Sequence, residues 1–229
     1  MKDLEIATMT LDKKGDAELM KSSLEVLSNF RYSVHVADGG SSPKFVDALK
    51  KMGHKVEYAQ GLTAQHKNSI SRASDKSPFV LYTEPDKHDW FVNGFEESVD
   101  TYFKRDKGSG LLLVARTPEQ LKTFPPHQQE WEGKLAKEII TPKTGVNGDF
   151  TYGPRFFPSE LGIQVKDVKD AQGWETITFL VGRAYKMGLP INMLYTAAEC
   201  PLDQRGEDNA KYRQFQFNCN KKGFELGLK

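Results

Sequence analysis

Short apolar runs and amphipathic stretches take turns along the first half of the chain, and the two kinds of segment repeat with different periods. Residues 5–11, 32–37, 55–58 and 79–83 are apolar runs of strand length. Between them, residues 16–27 set Leu19, Met20, Ser23, Leu24 and Leu27 on one helical face. Residues 44–52 form a helix opened by Ser42-Pro43 and closed by Gly53, and residues 63–75 form a helix with a polar face. Four strands separated by three helices predict an α/β fold with a mostly parallel central sheet and helices on both faces.

The second half is less regular. Residues 90–103 read as one helix, with Phe91, Phe95, Val99 and Phe103 at turn spacing, and residues 110–116 as a buried strand. From 117 to 158, Pro118, Pro125, Pro126, Pro142, Pro154 and Pro158 predict long loops, which in a compact domain are functional or disordered. Helical periodicity returns over 174–187, stopped by Gly188, and 191–195 reads as a last strand. The polar stretch from Leu202, with Tyr212, Phe215 and Phe217 interleaved, is expected either to pack back or to stay mobile.

Composition narrows the function classes. A chain of 229 residues suits one domain, and 32 Lys+Arg against 31 Asp+Glu leave no field to draw in nucleic acid or an acidic membrane. No apolar run reaches bilayer length and residues 1–5 lack a signal-peptide core, so a soluble, cytoplasmic protein without an intrinsic membrane segment is expected. Cys200 and Cys219 lie in no metal-ligand spacing, which argues against zinc and fits reduced thiols.

The densest chemistry is Phe79-Val80-Leu81-Tyr82-Thr83-Glu84-Pro85-Asp86, a strand ending in two carboxylates one residue apart. If the extended geometry continues, Glu84 and Asp86 point the same way. At the carboxyl end of a strand in an open α/β sheet, where ligands bind, such a pair suits a divalent cation that holds a diphosphate. Taken alone, the same residues read as a polar turn.

Three pieces occur in a telling order: Ala37-Asp38-Gly39-Gly40-Ser41-Ser42 after the second strand, Gln65-His66-Lys67-Asn68 on the third helix, and Glu84-Pro85-Asp86 after the fourth strand. Together they resemble the GT-A fold nucleotide-sugar glycosyltransferases, closest to the family-two-like group, over roughly the first half of the chain. The resemblance implies a single GT-A-like domain. Residues 1–116 would be its nucleotide-sugar-binding half, and residues 117–229 a loop-rich acceptor half with a C-terminal tail.

It further implies Mn2+ or Mg2+, a nucleoside-diphosphate sugar donor and a hydroxyl-bearing acceptor. Asp38 and Gly39 stand where the family grips the base, though Asp38 also suits the cap of the following helix. Thr8 stands where the family lines the base pocket, or is an ordinary strand threonine. Lys67 replaces the family's usual Arg and offers a phosphate a point charge rather than a fork, and Asn68 follows it. Asp86 matches the family's chelating Asp. Glu84 departs from the family's Asp, which weakens direct chelation but leaves a ribose hydroxyl or metal-bound water in reach. His88 could add a ligand, and because no histidine follows His127, Glu199 and Asp203 are the substitutes for the family's late His.

In the second half, Gly173-Trp174-Glu175 resembles the element that opens a late helix in inverting members. Glu175 would then be the general base, or else a first-turn acid favoured by the helix dipole. Trp174 would stack on a sugar or sit in the core. Arg155 would hold an anionic acceptor, or pair with Glu160. Two rivals remain: a non-catalytic nucleotide-sugar-binding or interaction protein of the same fold, and a sugar nucleotidyltransferase. The latter is disfavoured because residues 11–16 carry one glycine where a triphosphate-gripping loop needs several. A dinucleotide dehydrogenase lacks its glycine fingerprint.

Overall fold

In the computed structural model, which describes residues 3–13, 18–29, 32–200, 205–206 and 208–229, the alternation of the first half becomes a parallel sheet. Strands β1 (Leu4–Thr10), β2 (Ser33–Asp38), β3 (Lys55–Tyr58) and β4 (Phe79–Tyr82) run parallel. The sheet continues through β5 (Leu111–Arg116), β6 (Arg155–Pro158) and β7 (Ile191–Thr196) in the order β3-β2-β1-β4-β6-β5-β7. Only β6 is antiparallel to its neighbours, β4 and β5.

Side-chain alternation divides the core between the two faces. Leu81, Leu112 and Val114 meet Leu24 and Leu27 of α1 (Glu18–Asn29) and Phe45 and Leu49 of α2 (Pro43–Lys51). Val80, Tyr82, Leu111 and Leu113 meet Ile70 of α3 (Leu62–Ser74) and Phe179 and Leu180 of α10 (Glu175–Lys186). Helices on both faces are thus the observed arrangement. Among the described residues no helix is long and apolar enough to cross a membrane.

Two expectations are corrected. The helix read over 90–103 is two: α4 (His88–Asn93) and α5 (Phe95–Asp100), the latter running into a π-helical turn over Thr101–Arg105. The break falls at Gly94, where an added Cβ would stand 2.8 Å from the Trp90 ring. The loops expected over 117–158 are largely helical: α6 (Pro118–Leu121), α7 (Pro126–Lys134) with a π-helical extension over Leu135–Ile140, and α8 (Thr141–Thr144). Pro118 and Pro126 occupy first-turn positions, where the missing N–H has no intrahelical partner to lose, and Pro142 follows directly on the π-helical turn. The end of the same stretch is strand β6, with Phe156 and Phe157 in the core, and leads into α9 (Ser159–Gly162).

The polar C-terminal stretch packs back as α11 (Ala210–Gly227) on α10. The helix start expected at Asp16 and the residues at Leu202 and Asp203 lie outside the described residues. Gly182 of α10 and Gly223 and Gly227 of α11 let the two backbones touch, since a Cβ at any of them would overlap the opposite main chain. Gly223→Ala would drive a methyl into the Glu175 carbonyl. It should destabilise the protein by about 1–3 kcal/mol or more, read as a lower thermal midpoint, despite alanine's better helix propensity. An unchanged midpoint would mean that the helices are not packed this closely.

Candidate functional site

The two carboxylates after β4 converge through a turn rather than by strand alternation. Thr83 donates its N–H to the Ala7 carbonyl at 3.0 Å, one step past the strand. The chain then reverses over Glu84-Pro85-Asp86-Lys87, closed by Lys87 N–H donating to the Glu84 carbonyl at 3.3 Å. Lys87 Nζ lies 2.9 Å from Asp86 Oδ2 and 3.3 Å from Glu84 Oε2. Burial alone would lower the Lys87 ammonium, but Asp86 and Glu84 outweigh it and hold it well above the usual lysine range. Burial pushes the Glu84 carboxyl up, against the pull of Lys87. The Tyr82 hydroxyl donates to Glu84 Oε1 at 3.4 Å. Gly153, at φ +125°, lets its loop lie on this cluster, for a Cβ there would sit 2.9 Å from Glu84 Oε2.

Two cavities flank the turn. The first, about 390 Å³, opens at the carboxyl ends of the parallel strands and is lined by Met9, Leu11, Met20 and Leu62 with Thr10 and Gln65. Gln65 Nε2 donates to the Thr10 and Ala37 carbonyls at 2.9 and 3.0 Å, which ties α3 to the ends of β1 and β2. The second, about 220 Å³, lies between the turn, α7 and α11 and has Trp131, Tyr152, Tyr212 and Phe217 in its wall. Glu84, Asp86 and Trp174 line both cavities and form their common border.

The residues expected from sequence distribute unevenly over this site. Gly39 lines the first cavity. Asp38 beside it is committed internally: Oδ1 accepts from Thr10 Oγ1 at 3.0 Å, and Oδ2 from the Gly40 and Ser41 N–H groups, both at 2.9 Å. It therefore shapes the loop, while the helix cap is Ser42. Thr8 is fully buried within β1 and lines neither cavity; Thr10 takes the position at the strand end. Lys67 and Asn68 face a separate open groove, where Lys67 Nζ donates to the Lys166 and Val168 carbonyls at 3.3 and 2.8 Å. That holds a loop instead of meeting the 84–86 turn.

Arg155 is corrected outright. It is buried, and its guanidinium donates to the Gly153, Ile177 and Phe150 carbonyls at 2.8, 2.6 and 3.4 Å, so it serves the backbone rather than an acceptor or Glu160. Glu199 pairs with Arg205 at 2.6 Å, and His88 Nδ1 lies 3.2 Å from Ser23 Oγ on α1, away from the cluster.

Glu175 is buried and lines neither cavity. Its carboxylate accepts from the Gln172 and Gly173 N–H groups at 3.0 and 2.7 Å, closing the loop that carries Trp174 to the border. This is the geometry of a positioning residue, not of a base facing an acceptor. Glu175→Gln replaces one accepting oxygen by an amide that faces an N–H. It should cost about 1–3 kcal/mol of stability, measured by denaturant unfolding. A stability equal to wild type would deny the carboxylate this role.

Sequence reasoning missed several cavity residues. Lys87 was signalled by its place beside the carboxylates. Arg116 gave no local signal, since its partners lie far along the chain: Asp149 at 2.6 Å and Glu132 at 2.6 Å. His66, next to Lys67 on α3, is wholly buried against Tyr82 and Trp174, with both ring nitrogens unpartnered among the described residues. Burial, helped by Arg155, lowers it to about 3. The unfolded chain therefore binds a proton below the ordinary histidine range that the folded one refuses until about pH 3. Stability tied to His66 is full above pH 6.5 and is lost as pH falls towards 3. Between pH 6 and 4, wild type should lose about 1.4 kcal/mol per pH unit more than His66→Leu. Parallel stability curves would contradict this burial.

No protein-family model matches the chain, and no curated protein matches it. Solved structures do. Glucosyl-3-phosphoglycerate synthase from Mycobacterium tuberculosis, in complex with Mn2+, UDP and glucosyl-3-phosphoglycerate, is similar at 15% identity and a TM-score of 0.59. The alignment covers 90% of this chain and 75% of that one. Another structure of that synthase aligns at 17% identity and a TM-score of 0.61, over 90% and 76% of the two chains. Its complex with Mg2+ and UDP aligns at 15% and 0.59, over 90% and 74%. Identities this low establish the fold, which is GT-A, and leave the chemistry to the site.

Proposed function

We propose that the protein is a glycosyltransferase that moves a sugar from a nucleoside diphosphate to a hydroxyl acceptor with the help of Mn2+ or Mg2+. The observation that carries this reading is the pair of cavities meeting at Glu84, Asp86 and Trp174. A two-substrate transfer needs two pockets that share a border where the reacting atoms meet. The first cavity, apolar with Thr10 and Gln65 at its polar edge, suits a nucleoside, and the 84–87 turn lies where its diphosphate would reach. The second suits the acceptor. Residues 1–116 thus supply the donor pocket apart from Trp174, and residues 117–229 most of the acceptor wall.

Asp86 and Glu84 would hold a divalent cation as a pair of hard oxygen donors once Lys87 leaves them. Among the described residues no group of three or more His, Cys, Asp or Glu gathers as a self-sufficient site, which favours loading together with the diphosphate. Held there, a divalent cation would supply charge neutralisation for a departing diphosphate. In the transfer, the acceptor oxygen bonds to the anomeric carbon, and the bond from that carbon to the diphosphate breaks with its electron pair on the diphosphate. The hydroxyl proton is released to solvent. Lys87 would turn from the carboxylates to the phosphates, and Trp174 would wall the sugar between the pockets. The Lys87 pairing also favours a second reading, nucleotide-sugar binding without turnover, which an assay of donor consumption with Mn2+ separates from transfer.

Asp86→Ala should abolish the Mn2+ dependence of UDP or GDP binding in calorimetry while the fold persists. Lys87→Met should raise the affinity of the free protein for Mn2+ by about tenfold or more, because a buried ammonium no longer competes for the same oxygens. Unchanged nucleotide and Mn2+ affinities in both variants would remove the cation from this turn.

A further inference from the structure

The second cavity carries more than a position. Three carboxylates, Glu84, Asp86 and Glu132, line it against three cations, Lys87, Arg116 and Arg213. Two of those cations are already spent. Lys87 is held by Glu84 and Asp86. Arg116 is gripped by Asp149 through Nε at 2.6 Å and Nη2 at 3.0 Å, and by Glu132 at 2.6 Å, and Asp149 adds a further negative charge behind the wall. Arg213 keeps Asp208 at 3.8 Å, an ion pair too long for a hydrogen bond, and donates to Gln216 Oε1 at 2.8 Å. Lys134 stands over the Trp131 and Phe217 rings and is not a lining residue. The cavity has no surplus positive charge for a phosphate or carboxylate.

What it offers instead is rings and buried polar atoms without a partner. Trp131 and Phe217 lie 5.2 Å apart and tilted, with Tyr212 and Trp174 also in the wall. Asn220 Oδ1, Trp174 Nε1 and Arg213 Nε are buried without a hydrogen-bond partner among the described residues, and all three residues line the cavity. Buried polar atoms normally find partners, so an amide oxygen and an indole N–H without one on residues that line this cavity, beside an Arg213 Nε that has only Asp208 at 3.8 Å, point to a ligand that both donates and accepts. A pyranose has this chemistry. Its C–H faces pack on aromatic rings, while its hydroxyls donate to an amide oxygen and accept from N–H groups.

We propose that the second cavity binds the acceptor as a neutral pyranose saccharide, in contrast to the phosphoglyceric acid with which the similar synthase has been crystallised. The proposal rests on the transferase reading for the word acceptor, though not for the binding itself.

The test titrates the protein, with and without Mn2+ and UDP, with methyl β-D-glucoside, maltose, cellobiose and 3-phosphoglycerate. Binding is followed by saturation-transfer NMR and tryptophan fluorescence, in wild type, Trp131→Ala and Asn220→Leu. At least one neutral glycoside should bind, with saturation strongest on its ring C–H protons, and should lose about tenfold in affinity in each variant. 3-Phosphoglycerate should bind at least tenfold more weakly, and UDP equally well in wild type and Trp131→Ala. Tighter binding of 3-phosphoglycerate than of every glycoside would overturn the proposal. So would normal UDP binding with no glycoside bound, which leaves the donor site standing. Glycoside binding with no UDP binding would keep the saccharide pocket and sink the transferase reading. If the Asn220 variant is poorly folded, the Trp131 variant alone decides.

Discussion

A lysine held between two carboxylates at the carboxyl end of the central strand is the constraint on which the rest of the site depends. Each of the three groups, buried alone, would be costly, and their closeness offsets the loss of water. The cluster also dictates its surroundings. Tyr82 points its hydroxyl at Glu84, the Tyr152 ring lies 5.6 Å from the Lys87 ammonium, and the loop at Gly153 can approach only because it has no side chain. Behind it, Arg155 spends its guanidinium on three carbonyls and helps to keep His66 neutral. Anything that enters either cavity meets this charge arrangement, and a dianionic diphosphate or a divalent cation must rearrange it.

The second half of the chain serves to bring a wall of rings up to that cluster. Backbone contact between α10 and α11 through Gly182, Gly223 and Gly227 sets α11, and with it Tyr212, Phe217 and Asn220, beside the turn. Glu175 fixes the loop in front of α10 and so places Trp174 on the border. Arg116, between Asp149 and Glu132, locks the end of β5 to α7, which carries Trp131. These are structural bonds with a functional result: two pockets with a common edge.

The alternating half was legible because its periods of two and 3.6 residues are local properties, and β1 to β4 fall where the apolar runs lie. The 84–86 pair was legible as two carboxylates at a strand end, and both line cavities, although their convergence comes from a turn that local geometry did not specify. The helices over 118–144 were hidden by their prolines, of which Pro118 and Pro126 stand in first turns, and β6 by its four-residue length, which follows Pro154 and ends on Pro158. Asp38 and Arg155 have the residue types for ligand binding, but partners distant in sequence consume them. The same distance concealed the Arg116 network and the aromatic wall. Residue type is readable locally, whereas which side chains are already satisfied is decided by tertiary packing.

The most direct measurement is a crystal structure of the protein with UDP and Mn2+. The expected density places the uracil ring in the cavity beside Met9, Leu11 and Gln65, the diphosphate against the 84–87 turn, and the Lys87 ammonium drawn off at least one carboxylate. Nucleotide density in the open groove by Lys67 and Asn68, or in the aromatic cavity with the Lys87 contacts intact, would contradict a donor site built on this turn.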